Sequence, residues 1–106
     1  MIEFKIVDEP KQKFSLVLNG RRVTFLLWYS RISGRWSFDL SIDNGPVIRG
    51  RRIVTGVDLL APFNLGIGIL FAFSETGAEP TRENLPLGIV KLYHTTQEEV
   101  DAAVAA

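Results

Sequence analysis

A mainly β fold, either a small antiparallel β-barrel or a sandwich, is predicted by three features of this sequence. Asn19-Gly20 stands between the apolar runs 14–18 and 23–29. Asn-Gly is the favoured pair of a two-residue hairpin turn because both positions need positive φ. Residues 21–42, which hold both tryptophans, read as two strands folded back around Ile32-Ser33-Gly34. Residues 65–74 are apolar on both faces and carry two glycines, the pattern of a buried strand that another backbone approaches closely.

The elements follow in order. Ile2, Phe4 and Ile6 alternate and predict a short first strand within residues 1–7, ended before Pro10, which cannot continue a central strand. The Asn19-Gly20 turn pairs Leu16 with Val23 and Phe14 with Phe25. In the next hairpin, Arg31 facing Arg35 sets Trp28 opposite Phe38, Leu26 opposite Leu40 and Thr24 opposite Ile42, with Trp36 on the same face. Asp43-Asn44-Gly45-Pro46 makes a turn into an irregular or edge strand. Residues 55–62 predict one short helical turn, capped by Thr55 or Asp58 and limited by Pro62. After the buried strand, residues 74–86 form a long loop with a turn at 81–84, and residues 88–93 form the last strand. Thr95-Thr96-Gln97-Glu98-Glu99 resembles a capping box that opens a short C-terminal helix. The organisation is thus a single β-rich domain over residues 1–94 and a short helix or tail over 95–106.

With this register adjacent strands bury opposite faces. Phe25, Leu27 and Tyr29 then make a second apolar face opposite Ser41, Asp39 and Ser37. Such a face is covered either by closing the sheet into a barrel or by packing it between another sheet and a neighbouring subunit.

Length and composition narrow the function classes. A chain of 106 residues is one domain that buries roughly 65% of its unfolded surface and has no room for a separate catalytic domain. It has no cysteine, so packing replaces disulfides and thiolate metal sites, which fits a reducing compartment. The start lacks the basic-then-apolar pattern of a secretory signal. The apolar run 67–73 is far shorter than the ~20 residues that span a bilayer, so no membrane embedding is expected. Net charge is zero, which argues against a general nucleic-acid binder. Yet residues 1–53 carry ten Lys/Arg against five Asp/Glu, and residues 54–106 carry two against seven. The halves can neutralise each other within one fold or attract between neighbouring chains.

The catalytic inventory is thin. His94 is the single histidine and points to a structural or solvent-facing role. Asp39 and Asp43 sit in ordinary strand and turn positions. Gly66 and Gly68 lack the remainder of a dinucleotide or phosphate loop, and Ser33-Gly34 lacks a nucleophile elbow. No catalytic residue, cofactor, metal ligand or small-molecule substrate is nominated, and the chain is expected not to be an enzyme. Arginines 21, 22, 31, 35, 49, 51 and 52, with Tyr29 and Trp36 among them, admit three readings. They are solvated hairpin ends, a protein interface, or the surface of a single-stranded nucleic-acid-binding β-barrel.

Three segments occur in order within residues 23–85: Trp28-Tyr29 leading to Gly34-Arg35-Trp36-Ser37-Phe38-Asp39-Leu40, then IVTGVDLLAP from Ile53, then PTRENL from Pro80. This set resembles the baseplate plug-like proteins of contractile-tailed bacteriophages and related prophages. The resemblance implies a non-enzymatic, β-rich structural protein of the virion, made in the cytoplasm of the bacterial host. It also implies a homotrimer that closes the distal end of the tail tube against hub, tube or baseplate proteins. A symmetric ring would supply a neighbour for the extra apolar face. The candidate interface residues are accordingly Phe25, Leu27 and Tyr29 from that face, Arg35, Trp36, Arg49, Arg51 and Arg52 from the arginine cluster, and Thr81, Arg82 and Asn84 from the long loop.

Overall fold

The computed structural model describes residues 2–63 and 65–105, so Met1, the first residue of the predicted first strand, lies outside the described residues. Seven strands are seen among them: β1 (Ile2–Phe4), β2 (Lys11–Leu18), β3 (Arg21–Ser30), β4 (Arg35–Ile42), β5 (Gly45–Arg52), β6 (Ile69–Phe73) and β7 (Lys91–Thr95). Two short helices are α1 (Asn84–Leu87) and α2 (Gln97–Ala105). The strands form two antiparallel sheets, β2-β3-β4-β5 and β1-β7-β6. Among the described residues no strand of one sheet pairs with a strand of the other, so the barrel alternative is replaced by two open sheets over a shared apolar core. Phe4 of the small sheet crosses that core. Its ring lies 5.6 Å from Phe14 and 5.4 Å from Phe25, both on the large sheet.

The first hairpin has the predicted register. Asn19 and Gly20 take φ of 53° and 77°, and Leu16 faces Val23 while Phe14 faces Phe25. The second hairpin does not. Its loop has four residues, 31–34, so Ser30 and not Arg31 faces Arg35. The Gly34 amide donates to the Ser30 carbonyl at 2.8 Å, and the Ser33 amide donates to Ser30 Oγ at 3.3 Å. This one-residue shift turns every β3 side chain to the other side relative to β4. Phe25 now faces Leu40, Leu27 faces Phe38 and Trp28 faces Ser37.

The conflict between adjacent strands therefore disappears. Val23, Phe25 and Leu27 share one face with Trp36, Phe38, Leu40 and Ile42, all buried, and with the half-buried Phe14 and Leu16. Fully burying a side chain of this size gives roughly 1.5 to 3 kcal/mol, so aligning them on one face outweighs any preference of a short loop. The predicted second apolar face does not exist, and Leu26 and Trp28 point away from the core instead.

The remaining elements are set by local chemistry. Asp43 and Asn44 both have positive φ, at 50° and 67°, and turn the chain so that Ile42 faces Gly45. The edge strand β5 is interrupted by register shifts opposite residues 38–41, where Asp39 Oδ1 accepts the Gly50 amide at 2.8 Å. Bulges and Pro46 on such an edge discourage pairing with a foreign strand. The predicted helical turn at 55–62 lies later, as a 3-10 turn at Ala61–Phe63. Asp58 Oδ1 accepts the amides of Leu60 and Leu70 at 3.0 and 3.2 Å, and so ties this segment to β6. Within the predicted buried strand, residues 65–68 form a bend before β6. Gly68 has φ of 104°, and a Cβ there would lie 2.6 Å from His94 Nε2 and 2.7 Å from the Thr95 carbonyl, which is the close backbone approach its glycine predicts. At the start of α2, Thr96 Oγ1 accepts the Glu99 amide at 3.2 Å, as a capping box requires.

Candidate protein-docking surface

The register of the second hairpin decides which side chains meet solvent. On the outer face of the large sheet the cross-strand rows run Lys11–Trp28–Ser37–Arg52, Lys13–Leu26–Asp39 and Ser15–Thr24–Ser41. Ser15 Oγ and Thr24 Oγ1 lie 2.8 Å apart. Two adjoining open depressions cover this face and share Leu26 and Asp39. One is lined by Lys13, Arg22, Thr24 and Ser41, the other by Pro10, Lys11 and Trp28. Lys11, Lys13, Arg22 and Arg52 are exposed, whereas Leu26 and Trp28 are half-buried. Asp39 is the carboxylate on the face, and its Oδ1 is taken by the Gly50 amide. A partly exposed tryptophan and leucine ringed by cations and hydroxyls match the make-up of protein-docking sites.

The residues singled out from the sequence are distributed differently. Phe25, Leu27 and Trp36 have no exposed area, so the chain itself encloses the side chains expected to need a companion. Tyr29 is half-buried, with its ring 5.5 Å from that of Trp36. Trp36 Nε1 donates to the Thr81 carbonyl at 2.9 Å, and the Arg82 guanidinium lies 5.6 Å over the indole. Arg82 Nη1 also donates to Asp8 Oδ1 at 2.9 Å. Asn84 Nδ2 donates to the Glu79 carbonyl at 2.9 Å, and the Asn84 amide donates to Thr81 Oγ1 at 3.1 Å. Thr81, Arg82 and Asn84 therefore pin their own loop to the sheet. Trp36 is the peg that holds it.

The arginine cluster splits in space. Arg21 and Arg22 lie at the Asn19-Gly20 end of the sheet, where Arg21 pairs with Asp43 at 3.7 Å. Arg35, Arg51 and Arg52 lie toward the 31–34 loop, with Arg51 opposite Phe38 and Arg52 opposite Ser37. Arg49 is exposed on the bulged edge, and Arg51 is half-buried, its Nε lacking a partner among the described residues. With Trp36 enclosed and the sheets open, the Arg/aromatic barrel surface envisaged for single-stranded nucleic acid is not formed by these residues. Trp28, Leu26, Lys11 and Lys13 were missed because the shifted register hid them. The polar alternation of β4 alone, Ser37-Asp39-Ser41, was the signal that this face is outward.

His94 is buried, and its Nε2 donates to the Ile67 carbonyl at 2.6 Å, since a carbonyl oxygen only accepts. It fastens the bend before β6. Among the described residues no three His, Cys, Asp or Glu side chains converge as a metal site.

Comparison with known families gives a match over most of the chain. The family model described as cyanophage baseplate Pam3 plug gp18 aligns with residues 1–98. The chain belongs to this baseplate plug family. The match spans both sheets and stops within α2, so the plug family fold includes the pinned loop and the outer face described above. Plug family membership gives the chain a structural role in a phage baseplate, hence a place in the virion tail among other baseplate or tail proteins. Comparison with curated proteins finds no match.

Proposed function

We propose that the chain is a non-enzymatic plug that closes the distal end of the tail tube, assembling as a trimer against the hub proteins. The observation that carries this reading is the family match across residues 1–98. The outer face of the large sheet supports it, because it offers Trp28 and Leu26 as anchors with Lys11, Lys13 and Arg22 around them. On the large sheet the outward apolar side chains of β3 are thus Leu26 and Trp28, in place of Phe25 and Leu27. Synthesis in the host cytoplasm precedes incorporation into the tail.

The test is localisation. Virions carrying a C-terminally tagged chain, labelled with gold and viewed by electron microscopy, should show label at the distal end of the baseplate. Tails lacking the chain should show an open tube end there. Label along the sheath or at the capsid, or tails that close normally without the chain, would count against the reading.

A further inference from the structure

Among the described residues the two open sheets end in four edge strands, and three of these are blunted. β1 has three residues, too few to guide another strand. β5 carries Pro46 and the register shifts, and Asp39 Oδ1 already takes its Gly50 amide. β6 is covered by the chain itself. Gly56 and Leu59 donate their amides to the carbonyls of Ala72 and Leu70 at 3.1 and 2.7 Å, and Asp58 Oδ1 takes the Leu70 amide at 3.2 Å.

The fourth edge, β2, is left open. It runs for eight residues without proline and keeps one unbroken register with β3. Its hydrogen-bond phase follows from the turn. A two-residue hairpin closes on a bonded pair, Leu18 with Arg21, so Leu16, Phe14 and Gln12 also exchange bonds with β3. The Tyr29 amide, donating to the Pro10 carbonyl at 2.8 Å, continues the same alternation. The amides and carbonyls of Lys11, Lys13, Ser15 and Val17 therefore point away from β3, and among the described residues nothing bonds to them.

A strand laid along this edge meets two chemistries at once. The side chains of Lys11, Lys13, Ser15 and Val17 are exposed on the outer face, and among the described residues neither lysine has an ion-pair partner. Carboxylates on the outer side of an added strand would stand beside them. On the inner side the half-buried Phe14 and Leu16 form the margin of the core, so apolar side chains there would complete its cover.

We infer that β2 receives an extended segment of another tail protein, alternately acidic and apolar, as a fifth strand of the four-stranded sheet. This deepens the docking part of the function proposed above and rests on it. The outward amides and carbonyls supply affinity, and the alternating side chains supply selection.

The probe is a peptide of eight residues, the length of β2, alternating glutamate and valine, offered to the full chain. Fluorescence anisotropy should show binding that is lost when lysine replaces each glutamate. In the antiparallel pairing the glutamate amides face β2, so methylating them should abolish binding. In amide hydrogen exchange read by NMR, Lys11, Lys13, Ser15 and Val17 should gain protection while Gln12, Phe14 and Leu16 change little, since those already bond β3. Ser15→Pro removes an outward amide where an edge strand tolerates proline, and should weaken binding about tenfold. Lys11→Glu combined with Lys13→Glu should weaken it by a similar factor through repulsion. Melting confirms that the variants fold, and the methylated peptide tests main-chain pairing on the unsubstituted chain. No binding, equal binding of the methylated peptide, or protection without alternation overturns strand addition. So does protection of the same amides in the chain alone at rising concentration, which gives the edge to a second copy. A chain that refuses the peptide yet still labels the distal baseplate overturns strand addition and leaves the plug role standing. One that takes the peptide but labels elsewhere keeps the edge and overturns the plug role.

Discussion

The two hairpins that share β3 differ in what sets their register. Between β2 and β3 the Asn19-Gly20 turn allows one pairing, because two residues at positive φ leave no slack. Between β3 and β4 the four residues 31–34 accept more than one closure. There the choice falls to the core, which gains Phe25, Leu27, Trp36, Phe38 and Leu40 on one face in the observed pairing. A tight turn specifies register locally, whereas a looser loop inherits it from the packing on either side.

The largest expected effect comes from the two tryptophans, which the predicted register sets on one face and the observed pairing on opposite faces. Trp36→Ala removes an enclosed indole, its bond to the Thr81 carbonyl and the seat of Arg82, and should cost about 3 to 5 kcal/mol. Trp28→Ala, on the outer face, should cost about 1 kcal/mol. Urea denaturation of both variants reads the difference directly. Equal losses would mean that the loop does not hold the pairing described here.

A middle-sized effect sharpens the contrast between the turns. One glycine inserted between Asn19 and Gly20 breaks a two-residue turn and should lower stability by about 1 to 2 kcal/mol. The same insertion between Ser33 and Gly34 should cost about 0.5 kcal/mol, since lengthening a flexible loop is thermodynamically cheap. The midpoint of unfolding should move while the denaturant slope stays constant. A larger loss at Ser33 than at Asn19 would reverse the assignment of local and packing control.

The smallest effect lies outside both hairpins, on the short β1–β7 pairing. Lys91 is raised above its ordinary pKa of 10.5, first by its hydrogen bond to Glu3 and then by the charge of that carboxylate. A raised lysine pKa stabilises the fold fully below 10.5 and loses that contribution as pH climbs through the folded value. Both groups are exposed, so the effect is small. Glu3→Gln should lower the melting temperature slightly at neutral pH, and the difference from wild type should vanish in strong alkali. A difference that persists there would assign the loss to packing and not to the ion pair.

Much of the molecule was legible from residue order. The strand content, the Asn19-Gly20 register, the Asp43-Asn44 turn, the irregular edge strand, the close approach at Gly68 and the Thr96 cap all rest on contacts within a few residues or on what glycine alone permits. The docking surface was not legible. Shifting one pairing by a single residue exchanges Phe25 and Leu27 for the half-buried Leu26 and Trp28 on the outer face, and no local signal in the 31–34 loop distinguishes the two. The arginines likewise cluster in sequence yet separate to opposite ends of the sheet, because strands carry neighbours apart at about 3.3 Å per residue.

By itself the sequence determined where the chain turns, which stretches are strands, and that its halves carry opposite charge. Only the tertiary structure decided which face of the large sheet is core and that the two sheets stay open. The physical reason is range. Turn and cap preferences act over two to four residues, whereas the choice of buried face is made by a core whose members come from both ends of the chain.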